Sequence, residues 1–190
     1  MARKKTRFML LDLPDDDEVE NSLSSECEIV KAILTSRSLG TRIKHFRFTS
    51  LKSLEDHDIY EYDPKFVHIS GHGSKDGISL LGGEVSWRDL AEGFLLPRLA
   101  ALEPEQTRIL FVSTCFSEHG VNRLLDFLHD RFTGVYYFNG DEVPFADALT
   151  VAAMFYRRKE LNRPHQKVLN SINGYFGGRK RLFYRSLHQP

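Results

Sequence analysis

Cysteine is scarce in this chain: Cys27 and Cys115 are its only two in 190 residues. A disulfide-stapled secreted fold needs a framework of cysteines, so a reducing, cytoplasmic setting is expected instead. Net charge is also lacking, because 26 basic residues cancel 26 acidic ones. Nothing in the overall balance draws the chain toward nucleic acid or a membrane surface. The basic clusters Arg3-Lys4-Lys5 and Arg179-Lys180-Arg181 lie near the two ends and read as solvated charge. Long apolar runs are missing too, and no stretch approaches the ~18 residues needed to span a bilayer. Phe8 to Leu13 is interrupted by Asp12 and followed by Pro14, so it has no signal-peptide h-region. The glycines at 71, 73 and 77 do not form a dinucleotide fingerprint, and no cofactor is expected. There is no internal repeat and no low-complexity linker.

What remains is an ordinary soluble composition, 41% hydrophobic and 27% charged, in one domain-sized length. Short apolar runs alternate with helical spacings. Arg7 to Leu13 reads as a first strand, and the acidic run Asp15 to Glu18 precedes a helix, where it complements the macrodipole. Val19, Leu23, Cys27, Val30 and Leu34 mark that helix, which makes Cys27 a core residue, and Gly40 ends it. Ile43 to Phe48 is a second strand, followed by a polar segment with a short helix around Leu51 to Glu55. Phe66 to Ser70 is a third. A hairpin over Ile78 to Gly83 follows, then a helix over Trp87 to Leu99 that Pro97 interrupts or ends. Ile109 to Thr114 is strand four. A helix marked by Val121, Leu124, Leu125 and Leu128 leads to strand five at Val135 to Phe138. Another helix runs from Phe145 to about Leu161, and a short helix and a strand at Leu182 to Tyr184 complete the chain. This alternation predicts a mostly parallel α/β sheet with helices on both faces. Flavodoxin-like and caspase-like topologies both satisfy it.

Two of these strands end in reactive side chains. Lys65-Phe66-Val67-His68-Ile69-Ser70-Gly71-His72-Gly73 delivers an imidazole, and Arg108 to Ser117 delivers the Cys115 thiol. In parallel sheets ligands bind beyond the carboxyl ends of the strands. His72 and Cys115 lie 43 positions apart, room for one crossover with its helix. A thiol and an imidazole in one crevice are the minimum kit for a cysteine nucleophile with a general base. Zinc held by His68, His72 and Cys115, with His119 nearby, is the rival use of the same residue types. Strand alternation would set His68 and His72 about 13 Å apart, too far to share an ion.

Ser70-Gly71-His72-Gly73 and Ser113-Thr114-Cys115-Phe116-Ser117 resemble the His-Gly and Cys-x-Ser motifs of the CHAT branch of caspase-like (clan CD) cysteine peptidases. The resemblance covers about residues 65 to 160, and the His-to-Cys separation is near the roughly 50 residues of caspases. It departs from caspases proper, whose Gln-Ala-Cys-x-Gly is replaced here by Ser113-Thr114-Cys115-Phe116-Ser117. The resemblance implies a single caspase-like domain and acyl transfer, with His72 and Cys115 catalytic and the backbone N–H groups of Gly73 and Cys115 binding the oxyanion. It implies a protein or peptide substrate, a possible activating partner, and, for bacterial members, a defence or cell-death pathway.

The resemblance also implies a pocket for the residue before the cut, near the Cys strand and the strand after it. Ser70, Glu118 and Asp141 are the expected substrate-binding residues. The segments expected there carry Glu118, Asp141, Glu142 and Asp147 against Arg123 as the only nearby base before Arg131, which favours Lys or Arg in that pocket, with Asp141, directly after strand five, as the first candidate. The alternative is that Asp141 and Glu142 solvate a loop. A non-hydrolytic interaction module using the same crevice is the second functional expectation.

Overall fold

The computed structural model describes residues 6–15, 25–37, 41–50, 52–53, 63–103, 106–138, 140–158 and 164–187. Six strands form its main sheet: β1 Thr6–Leu13, β2 Thr41–Arg47, β3 Phe66–Gly71, β6 Ile109–Ser113, β7 Gly134–Phe138 and β8 Leu182–Ser186, in the order β2-β1-β3-β6-β7-β8. All neighbouring pairs are parallel except β7 with β8. A hairpin of β4 Gly77–Leu80 and β5 Gly83–Ser86 leaves the sheet after β3.

Alternating side chains in β1, β3, β6 and β7 feed two separate cores, as strands buried on both faces require. On one face Met9, Leu11, Val67, Ile69, Leu110 and Val112 pack against a helical stretch, α2 (87–98), and against α3 Ser117–Leu128. On the other, Phe8, Leu10, Phe66, Phe111 and Tyr136 pack against α1 Glu26–Arg37, α4 Phe145–Arg158 and α5 His165–Tyr175. The architecture is therefore a mostly parallel α/β sheet with helices on both faces, as the alternation predicts. No helix among the described residues is long and apolar enough to cross a membrane.

Local differences have physical causes. Pro97 does not stop α2 at its own position: the chain widens into π-type turns over Leu90–Leu95 and runs on to Arg98. Pro97 falls in the first turn of the closing α-helical segment Leu96–Arg98, where a backbone N–H is dispensable. Phe48 lies just beyond β2, but its N–H donates to the Asp12 carbonyl and its ring is buried. The helix expected from Val19 is described from Glu26 on, where the Ser25 hydroxyl accepts from the Glu28 N–H as an N-cap. Val19, Leu23 and Gly40 lie outside the described residues, as does most of the segment from Leu51 to Glu55.

Cys27 is fully buried in the second core, and its thiol donates to the Leu11 carbonyl at 3.5 Å. Cys27→Ala removes one sulfur from a packed site in that core. Urea denaturation should show a loss of about 1 kcal/mol, with the reactivity of Cys115 retained. A folded Cys27→Ala protein without Cys115 reactivity would contradict this placement.

Candidate active site at the ends of β3 and β6

Ser70 in β3 pairs directly with Ser113 in β6. Because the strands are parallel and in this register, the residues two positions further on leave the sheet at the same level. Those residues are His72 and Cys115. Both line a single open pocket with Glu26, Ser70, Ser113 and Thr114. Its volume is about 50 Å³. Small-molecule and cofactor sites run to roughly 300–1,000 Å³, so this one suits a single side chain.

Two close approaches hold the strand ends together. A Cβ on Gly73 would overlap the Cys115 carbonyl oxygen and stand 2.8 Å from Thr114 Cβ and Oγ1. A Cβ on Gly71 would stand 2.5 Å from the Leu13 carbonyl oxygen. Only glycine lets the backbone pass this tightly. Beyond it the chain is tied to the hairpin: Ser79 N–H donates to the His72 carbonyl, and Ser74 N–H to that of Gly77. These bonds flank the bridge between Gly73 and Ile78 and leave the Gly73 N–H out of the ladder. Neither that N–H nor the N–H of Cys115 finds a partner among the described residues. Unpartnered backbone N–H groups are the kind of donor from which anion sites are built.

The turn after Cys115 is strained. Phe116 adopts φ 51° and ψ 25°, the one left-handed non-glycine residue described. For a bulky residue this costs on the order of 1–2 kcal/mol. The Phe116 N–H donates to the Asp141 carbonyl at 3.0 Å, which helps hold the turn. Ser117 opens α3 fully buried, and its hydroxyl donates to the Phe138 carbonyl while accepting from the Phe138 N–H. The serine of the Cys-x-Ser motif thus fastens α3 to the end of β7. Cys115 Sγ accepts from the Val143 N–H at 3.4 Å.

His72 is half exposed, and its Nε2 lies 3.7 Å from an Asp15 carboxylate oxygen just past β1. The pocket floor holds a residue that the sequence did not single out. Glu26 is 2% exposed, and one of its carboxylate oxygens accepts from Ser113 Oγ at 2.9 Å and from Ser70 Oγ at 3.4 Å. The other, Oε1, stands 3.1 Å from His68 Nε2 without the alignment of a hydrogen bond. Behind it, Tyr156 Oη is 3.0 Å from His68 Nδ1. Burial, reinforced by Cys27 and Glu26, holds the Tyr156 hydroxyl well above its ordinary pKa. It stays protonated and holds the ring of His68 from the side away from Glu26.

Of the expected substrate-binding residues, Ser70 lines the pocket and Asp141 and Glu118 do not. Asp141 is exposed and contributes its backbone carbonyl to the Phe116 turn, while Glu118 is half-buried in the first turn of α3. Val143 and Phe145, from the segment that carries Asp141, supply apolar wall instead. His68, weighed as a zinc ligand, is enclosed between Glu26 and Tyr156. No group of three or more His, Cys, Asp or Glu among the described residues could hold a metal ion.

No protein-family profile matches the chain, and no curated protein does. Among solved structures it is similar to the crystal structure of the Drosophila initiator caspase Dronc, at 9% sequence identity and a TM-score of 0.46. That alignment covers 96% of this chain and 80% of the caspase chain.

Proposed function

We propose that the protein is a cysteine endopeptidase that cleaves a protein partner with a His72–Cys115 dyad. The observation that supports this reading is the Ser70–Ser113 register, which sends an imidazole and a thiol into one pocket beside two unpartnered N–H groups. In the reaction, the Cys115 proton passes to His72 and the sulfur attacks the scissile carbonyl carbon. A C–S bond forms, and the carbonyl π electrons move to oxygen, where the N–H groups of Gly73 and Cys115 receive them. Collapse of this intermediate breaks the C–N bond, and the imidazolium of His72 protonates the departing amine. Water, deprotonated by His72, then hydrolyses the thioester and returns Cys115. Asp15, with a carboxylate oxygen 3.7 Å from His72 Nε2, orients the ring.

A peptide carrying a thiol-directed electrophile tests the reading. It should label Cys115 and spare Cys27, and His72→Ala should slow the labelling by roughly 100-fold or more, the usual share of a general base. Labelling of Cys115 at the rate of a free thiol, indifferent to His72, would favour a non-hydrolytic interaction module in the same crevice.

A further inference from the structure

We propose that the pocket beside Cys115 receives a lysine or arginine side chain of the protein substrate, with the Glu26 carboxylate as its charge partner. This rests on the peptidase reading and assigns the substrate class of that site. When Sγ bonds to the scissile carbonyl carbon, the closest substrate side chain is that of the residue whose carbonyl is attacked. A cavity lined by Cys115 itself is where that side chain falls. At the far wall stands a buried carboxylate. It accepts from the hydroxyl of Ser113, the last residue of β6 and two positions before Cys115.

Charge makes the choice. The two buried carboxylates on this side of the sheet are treated differently. Asp12 has the Arg47 guanidinium at 3.4 Å and His45 at 3.6 Å. Glu26 has two serine hydroxyls and the ring of His68, and no Lys or Arg pairs with it among the described residues. A buried carboxylate without a counter-charge is costly, and an incoming ammonium or guanidinium removes that cost. Its Oε1, lacking an aligned hydrogen bond, is the atom left to accept one. An aspartate or glutamate side chain would meet like charge, and a leucine would leave the carboxylate further desolvated.

Peptide electrophiles that differ only in arginine or its neutral isostere citrulline before the reactive group test this on wild type and Glu26→Gln. The arginine reagent should label wild-type Cys115 about 10- to 100-fold faster, the discrimination expected of hydrogen bonds to a charged group. Glu26→Gln should bring the two rates together. Equal rates in wild type, or a preference that survives Glu26→Gln, overturns the assignment and leaves the peptidase reading standing. Failure of every peptide reagent on Cys115, with iodoacetamide still reacting, overturns both. Should Glu26→Gln not fold, the ¹³C shift of the Glu26 carboxyl in wild type decides. It should move on adding ethylguanidinium and not ethylurea, and a carboxyl unmoved by both overturns the assignment.

Discussion

Cys115→Ala is expected to abolish cleavage of the partner, a loss of roughly 10⁴-fold or more, as when the nucleophile of a catalytic unit is removed. The same substitution should leave the fold almost untouched. Cys115 is only half-buried, lies outside both apolar clusters, and its sulfur contacts the backbone of Val143. Sγ is therefore worth little as packing, and the peptidase reading makes it the nucleophile. Mass spectrometry of new chain ends, after incubation with candidate partners, reads the first effect. Thermal melting reads the second, with Tm expected within about 2 °C of wild type, the shift of less than 1 kcal/mol in a chain of this size. New chain ends produced equally by Cys115→Ala would remove the thiol from the mechanism.

Gly73→Ala should do almost as much damage through a single methyl group. Its Cβ would fall on the Cys115 carbonyl oxygen and against Thr114, and the first obstacle is backbone rather than the end of a flexible side chain. The two strand ends must separate. That displaces the Gly73 and Cys115 N–H groups, which on the peptidase reading receive the oxyanion. A misplaced donor costs about 10²- to 10³-fold in turnover, and the overpacking about 1–3 kcal/mol of stability. Gly83→Ala, where a Cβ meets nothing within 4 Å, is the control and should change neither. Steady-state kinetics and melting of both variants decide the matter. A Gly73→Ala enzyme with wild-type turnover would show that this backbone approach plays no part in catalysis.

The strands that carry the site were legible because their chemistry is local. Phe66 to Ile69, interrupted only by His68, and Ile109 to Val112 are short apolar runs, the pattern of a strand buried on both faces. His72 and Cys115 follow them directly, so their position at the sheet edge needed nothing but the strand boundaries. Asp141 was chosen on the same logic, and its position after β7 is as expected. Chain position, however, does not say where a side chain points. In that segment Val143 and Phe145 line the pocket, and the Asp141 carboxylate is exposed.

The sequence alone therefore determined the alternation of strands and helices, the buried character of Cys27 and the two reactive strand ends, because each depends on neighbours within a few residues. Tertiary structure decided the rest. The left-handed Phe116 has no sequence mark, since glycine is the residue that usually signals that conformation. Glu26, as the first residue of α1 after an N-cap serine, reads as an ordinary first-turn acid. Its role depends on hydroxyls 44 and 87 positions away. Those contacts exist only once α1 has docked on the sheet and β3 and β6 have paired. Burial, rather than residue type, separates a surface glutamate from a charge at the floor of a pocket.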